Sequence, residues 1–205
     1  PSDLKKRAIK LAAMQQLLTG KKRLPPFDQA HTGYKQTELG EIPEDWEVVV
    51  LEDVIGFNNG AAHENAITKY GEYTVVNSKF ISTEGAVAKY SSQLLCPTKK
   101  GNVLMVMSDV PNGRAMAKCF LVDEENKYTV NQRICSIEPL NVESKFLFYI
   151  LNRNKFYLQF DDGVKQTNLR RQDVLECPIP LPSFQEQAAI SMALTEMNND
   201  IAALD

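Results

Sequence analysis

No stretch of this 205-residue chain supplies the run of about 20 apolar residues that a membrane-spanning helix needs; the longest runs are short, such as "VLMVM" and "FLFYIL". Nor does any segment show the charged, apolar and small-residue order of a secretory signal, so a soluble, cytoplasmic protein is expected. Cysteine is sparse: Cys96, Cys119, Cys135 and Cys177 lie far apart with no C-x-x-C pair, which excludes a zinc knuckle or a dithiol redox motif. Three of the four sit in apolar, strand-like runs and read as reduced, packed side chains. The two histidines, His31 and His63, have no cysteine or carboxylate at ligand spacing, so no metal site is expected. Catalytic signatures are missing as well. There is no glycine-rich phosphate loop, no G-x-S-x-G elbow, and neither the N-P-P-Y-type motif nor the glycine-rich S-adenosylmethionine loop of a DNA adenine methyltransferase. One weak exception is Asp109 followed by Glu125 and Lys127, a D…E-x-K order that metal-dependent nucleases use; E-x-K recurs at Glu143-Ser144-Lys145, and the pattern is common by chance.

What is present is an ordinary globular composition, 43% hydrophobic, with an uneven charge. The net charge is −3, yet residues 1–24 carry seven cations against Asp3, a net +6, which leaves −9 on the remainder. The acidic balance argues against a uniformly basic nucleic-acid binder but not against a local basic face. The chain opens on Pro1 rather than methionine, which points to processing or trimming at that end.

Leu4, Leu11, Met14 and Leu18 follow 3- and 4-residue steps and predict a helix that Gly20 ends, with Lys21 and Lys22 near its negative dipole end. Residues 25–39, with Pro25 and Pro26, read as a linker without strand or helix. From Trp46 the pattern becomes short β-branched and aromatic runs ("WEVVVL", "YTVV", "VAKYS", "VLMVMS", "AMAKCFLV", "TVNQRICSIEP") separated by turn residues. One helix, "ESKFLFYILNRNKFYLQF", interrupts them, with Phe146 and Ile150 on the sheet-facing side. At the C-terminal end Ser183 and Glu186 make an S-x-x-E capping box, and Ile190, Leu194, Met197, Ile201 and Leu204 form a heptad seam. A helix over 184–205 would be roughly 33 Å long and calls for a helical partner.

The chemistry-bearing side chains that remain are polar and basic residues of loops: Asn58, Asn59 and His63; Asn77 and Lys79; Ser108, Asn112 and Arg114; Gln132 and Arg133; and Lys165, Gln166, Asn168, Arg170 and Arg171 in the run "VKQTNLRR". Arginine and lysine suit guanine edges and phosphates, and asparagine and glutamine can bond both edge groups of adenine in the major groove. Any one of them alone is better explained as a residue that solvates a loop.

Several stretches share a resemblance. "GYKQTELGEIPEDWEVVVLEDV" resembles the opening of a target recognition domain in the specificity subunits of type I restriction-modification enzymes. "IPLPSFQEQAAI" resembles the entry into that family's conserved helix, "MQQLLTGKKRLP" its exit, and "GVKQTNL" a segment just upstream of the entry. The middle, roughly 56–160, matches no motif. The resemblance implies an α+β fold: a β-rich recognition domain with long flanking helices that form an antiparallel coiled coil. It also implies a non-catalytic role, reading one half of a bipartite site on double-stranded DNA. Pro43, Trp46 and Leu51 would be structural anchors, base-reading residues would fall in the unmatched middle, and Gln166 is left undecided. Two methylation subunits would carry S-adenosylmethionine and the restriction subunits would use ATP and Mg²⁺, with no cofactor on this chain.

The expected organisation is therefore 1–24, end of a spacer helix; 25–39, linker; 40–182, recognition domain; and 183–205, start of a spacer helix. This is one domain where the full family pattern has two, so the chain is expected to be either a half-subunit, which could form a homodimer, or part of a longer subunit. Rival readings are the recognition part of a fused methyltransferase or nuclease, and a truncated assembly factor that holds methylation subunits without reading DNA.

Overall fold

The computed structural model describes residues 2–29 and 33–202. In chain order the elements begin with helix α1 (Ser2–Leu18) and strands β1 (Tyr34–Thr37), β2 (Gly40–Pro43), β3 (Glu47–Val50), β4 (Ile55–Asn59), β5 (Ile67–Thr68) and β6 (Tyr73–Val76). Helix α2 (Ser78–Ser82) is followed by β7 (Lys89–Ser91), β8 (Val103–Val106), β9 (Ser108–Asp109), β10 (Cys119–Leu121), β11 (Tyr128–Val130) and β12 (Ile134–Pro139). Then come α3 (Ser144–Leu151), α4 (Lys155–Leu158), β13 (Thr167–Asn168), α5 (Arg171–Leu175), β14 (Pro178–Leu181) and α6 (Phe184–Ala202). The mixture of helices and short strands is α+β, as expected. It divides into two compact units: Pro1–Val49 with Pro178–Asp205, and Val50–Cys177.

The first unit gathers the two ends of the chain. Gly20 closes α1 with φ at 69°, while the backbone N–H groups of Thr19, Gly20 and Lys22 reach back to the carbonyls of Gln15, Leu17 and Gln16. A Cβ at Gly20 would also collide with the ring of Pro43 and press on Trp46, so the cap and the close approach both demand glycine. The segment expected to be a structureless linker instead holds a short 3-10 turn (Phe27–Gln29) and strand β1, which pairs antiparallel with β2 from Tyr34↔Pro43 to Thr37↔Gly40. Its polar "YKQT" carries little strand signal; the hairpin closes because the Thr37 hydroxyl donates to Gly40 O (2.8 Å) and accepts from Leu39 N (3.2 Å). Strand β3 pairs with β14, joining the two ends of the chain in one small sheet.

Helices α1 and α6 touch each other. On α6, Ile190 and Leu194 are buried and Met197 is half-buried; the side chain of Ile201 and the whole of Leu204 lie outside the described residues. On α1 the expected seam departs from the observed one: Leu4 and Leu11 are 78% and 63% exposed, Met14 and Leu18 are half-buried, and Leu17, which stands outside the heptad spacing, is buried. At about 100° per residue, Leu17 lies roughly a third of a turn away from the Leu4–Leu11 stripe. Among the described residues Leu17 carries the buried side of α1, while the Leu4–Leu11 part of the expected seam is exposed and its Met14–Leu18 end is half-buried.

The second unit is built on the antiparallel sheet β10-β8-β12-β4 and a second sheet, β11-β6-β7-β5, in which β11 and β6 run parallel. All four residues of β8 are buried, as an unbroken apolar run requires when both faces of a strand are covered. Leu104 and Val106 enter a cluster with Val76, Phe80, Ile81, Val122, Tyr128, Val130 and Ile134. Phe80, Phe120 and Tyr128 meet there with centroids 5.0–6.1 Å apart in edge-on and tilted geometries. The opposite face of β8, Val103 and Met105, lies on the side of α3, which contacts β8 and β10 and buries Phe146, Leu147, Ile150 and Leu151. The single expected helix over this region is two: α3 stops at Asn152, Arg153 takes φ of 58°, and Asn154 caps α4 by accepting from Phe156 N (2.9 Å).

Burial keeps the central thiols protonated. It pushes Cys135 from the ordinary 9.0 up to about 12 and Cys177 up to about 11. Because these folded values are raised, the stability they contribute is complete below pH about 9 and is lost as pH rises through the folded values. In a native thiol titration with an aromatic disulfide, half-buried Cys96 reacts first, and Cys135 and Cys177 react only on unfolding. Fast labelling of Cys135 in the folded protein would contradict this packing.

Candidate nucleic-acid interface

Within the second unit, backbone hydrogen bonds run in one line across four segments. Gly60 N donates to Ile134 O (3.0 Å), Met107 N to Arg133 O (3.0 Å), and Leu169 N to Met107 O (2.8 Å). Asn59 and Asn58 stand opposite Cys135 and Ser136, and Ser108 and Asp109 opposite Asn168 and Thr167. The line forms a ledge on which Asn58, Asn59, Gln132, Arg133, Gln166 and Asn168 are exposed. Residues up to 110 positions apart in sequence thus meet because the end of one sheet is extended by the β9–β13 pair.

The loop after β9 is held to the ledge by two carboxylates. Asp109 accepts the backbone N–H groups of Val110 (2.9 Å), Ala115 (2.6 Å) and Met116 (2.9 Å), and a Cβ at Gly113 would run into that carboxylate. Asp161 accepts from Asn112 N (3.0 Å) and Gly163 N (3.0 Å), joining this loop to the one before β13. Asp162 accepts from Val164 N and Lys165 N, which holds its carboxyl below the usual range. These acids fold loops, Asp109 of the D…E-x-K order among them. Among the described residues no group of three or more His, Cys, Asp or Glu is arranged to hold a metal.

Apart from Ser108 and the six ledge residues, the side chains singled out from sequence fall into three sets. Arg114 is exposed on the braced loop, Lys165 is exposed just before the ledge, and Arg171 sits over the Phe57 ring, 5.5 Å from its centroid, beside Asn58. Two are exposed yet engaged by neighbours: Asn112 Nδ2 donates to Gly163 O (3.3 Å), and Arg170, its side chain 81% exposed, forms an ion pair with buried Asp173 (2.8 Å). That pair, with the Arg170 backbone N–H also donating to Asp173 (2.7 Å), starts α5 and draws the Asp173 carboxyl down. In the third set it is His63 that corrects the expectation. His63 is 1% exposed, its Nδ1 against Ala61 O and its Nε2 against Thr129 Oγ1, both at 2.7 Å, so it braces the β4–β11 region and offers nothing to a ligand. Lys79 is exposed on α2, off the ledge, and Asn77 caps that helix by accepting from Phe80 N (2.9 Å).

A polar knot in the first unit is absent from the sequence reading. Arg23 donates to Glu186 through Nε (2.8 Å) and Nη2 (2.7 Å) and to Asp45 (2.8 and 3.0 Å), while Trp46 Nε1 donates to Glu186 (3.1 Å). Ser183 caps α6 as expected, accepting from Glu186 N (3.3 Å), but the Glu186 carboxylate is engaged by Arg23 and Trp46 rather than returned to close the box. A signal for the knot does exist: Arg23, Asp45-Trp46 and Glu186 each lie in one of the family-like stretches, and a buried charge needs a partner.

The structure thus defines an α+β chain whose charged and amide side chains share a braced ledge and which also holds two touching helices. The chain belongs to the type I restriction modification DNA specificity domain family, whose model matches residues 43–204. It is 26% identical over 191 residues to the type I restriction enzyme MjaVIII specificity subunit of Methanocaldococcus jannaschii, covering 82% of this chain and 43% of that one. It is also 26% identical over 156 residues to the EcoDI specificity subunit of Escherichia coli, covering 76% and 32% respectively. The chain thus spans less than half the length of these relatives. In fold it resembles the HsdS subunit from Thermoanaerobacter tengcongensis, with a TM-score of 0.65 at 17% identity over 98% of this chain and 46% of that one. The S subunit from M. genitalium gives 0.57 at 19% identity, over 75% and 39%.

Proposed function

We propose that this chain is a DNA-recognition module of a type I specificity subunit, reading one half of a bipartite site and docking methylation and restriction subunits that carry S-adenosylmethionine, ATP and Mg²⁺. The observation that carries the reading is the ledge: Asn58, Asn59, Gln132, Arg133, Gln166 and Asn168 exposed together on backbone-linked segments, with Arg114 and Arg171 beside it. Amides supply base-edge bonds and arginines hold phosphates or guanine. The assembly acts in the cytoplasm, where its DNA substrate lies; among the described residues no helix is long and apolar enough to cross a membrane.

Together, Arg114→Ala, Arg133→Ala and Arg171→Ala weaken DNA binding by the complex with methylation subunits. The slope of log affinity against log salt becomes shallower by about 0.9 for each phosphate that an arginine no longer neutralises. Unchanged affinity and slope would refute the ledge as the interface.

The uncovered face of α1 serves assembly in this reading. Leu4 and Leu11, seven residues apart and exposed, form a helix-pairing stripe for the coiled coil, a methylation subunit, or a second copy in a homodimer. Leu4→Asp with Leu11→Asp leaves the thermal unfolding of the chain unchanged but reduces co-purification with methylation subunit and lowers the mass seen by light scattering. Undiminished association would remove this role.

A further inference from the structure

We infer that Phe57 is a positioning residue that holds the Arg171 guanidinium for the O6 and N7 edge of a guanine; this rests on the DNA-recognition reading above. Arg171 is exposed at the first residue of α5, and its Cζ lies over the Phe57 ring, 5.5 Å from the centroid. The ring attracts a cation through its negative face, which leaves the five N–H donors of the guanidinium for other partners. Among the described residues none of those donors has a hydrogen-bond or ion-pair partner within the chain.

Both ends of the contact are anchored. Phe57 is half-buried in β4 opposite Ile137, and α5 begins where the Arg170 backbone N–H and guanidinium engage buried Asp173. Val174 O of the same helix accepts the hydroxyl of buried Tyr157 (3.1 Å). Arg171 thus starts from a fixed backbone and ends against a ring, which removes in advance some of the rotamer freedom that an unrestrained arginine loses only on binding.

That restraint sets Arg171 apart from Arg114, Arg133 and Lys165, which are exposed and, among the described residues, lie over no aromatic ring. A phosphate accepts bonds from many directions and is met as well by an unrestrained cation. A base edge lies in one plane, and reading it rewards a side chain positioned beforehand. In the major groove guanine alone presents two adjacent acceptors without a donor, the match for a group that only donates. Phe57 and Asn59 also share one face of β4, about 7 Å apart along the strand, so the ring that holds Arg171 adjoins an exposed amide of the ledge.

The test uses the complex of the full chain with its methylation subunits and a pool of random-sequence duplex DNA, from which bound molecules are selected and sequenced. The wild-type complex yields a consensus that includes a guanine, and Arg171→Ala makes that one position degenerate while the others persist. Discrimination there falls by about 10- to 100-fold, with the salt dependence of binding little changed. Replacing the same guanine by 7-deazaguanine weakens wild-type binding and leaves Arg171→Ala unaffected. Phe57→Leu relaxes the same position in part, Phe57→Tyr preserves it, and Phe57→Leu adds no further relaxation to Arg171→Ala. An Arg171→Ala complex that loses affinity evenly for all sequences, with a salt slope shallower by about 0.9, shows a phosphate contact and overturns the guanine assignment. A Phe57→Leu complex with wild-type discrimination overturns the positioning role. Either result leaves the DNA-recognition reading standing, whereas a wild-type complex that selects no consensus overturns that reading itself.

Discussion

Arg23→Ala lowers the stability of the protein by about 3–5 kcal/mol, the cost of leaving a buried carboxylate without its cation. The side chains of Arg23 and Glu186 are 8% and 2% exposed, and removing the guanidinium takes away two charge-assisted bonds to Glu186 at once. Glu186 would retain only the indole N–H of Trp46 among these partners. The reciprocal Glu186→Ala strands Arg23 less completely, since Asp45 still holds it, and costs less. Arg23→Met combined with Glu186→Leu recovers much of the loss, because replacing both charges removes the desolvation penalty along with the attraction. Urea unfolding midpoints of the three variants measure the order. If Arg23→Ala unfolds at the wild-type midpoint, the knot is not what holds the exit of α1, the turn before β3 and the start of α6 together.

Under the proposed DNA-recognition role, Gly60→Val abolishes selection of a DNA consensus without touching a polar side chain. A Cβ at Gly60 would lie inside contact distance of the Asn131 carbonyl and against Val130 O, both backbone atoms that cannot swing aside. Relief requires β4 to separate from the Asn131–Arg133 turn, which breaks the line of hydrogen bonds between Gly60, Ile134, Arg133 and Met107. Overpacking of this kind costs about 1–3 kcal/mol, and the larger effect is on geometry: Asn58 and Asn59 no longer stand at a fixed distance from Gln132 and Arg133. The expected result is a folded protein, seen by a cooperative thermal transition at lowered temperature, whose complex selects no DNA consensus. Wild-type selectivity would show that the two segments read DNA independently.

Much of the fold is legible where local rules govern. Leu-rich periodicity with Gly20 marks α1 and its end, the S-x-x-E signal marks the start of α6, and "VLMVM" marks the fully buried strand β8. Departures arise where a few hydrogen bonds overrule composition. The "YKQT" strand exists because a partner strand and Thr37 close its hairpin, and the long middle helix is split at Arg153 by a backbone conformation that no periodicity reports. Short helices α2 and α5 leave no periodic signal because each is a single capped turn or little more.

The candidate site divides along the same line. Asn, Gln, Arg and Lys in loops are identifiable by chemistry, and the family by its motifs, because both are written residue by residue. Which of those side chains face outward is a property of burial and pairing. His63 is drawn inward by Ala61 and Thr129, whereas Asn112 and Arg170 stay exposed while bonding Gly163 and Asp173, with partners up to 66 positions distant. By itself, the sequence determined the family, the helix ends and the inventory of polar groups, since these depend on near neighbours in the chain. Only the tertiary structure decided that Asn59, Arg133, Ser108 and Asn168 share one ledge and that Arg23 meets Glu186, because such contacts are set by strand register and core packing across the whole chain.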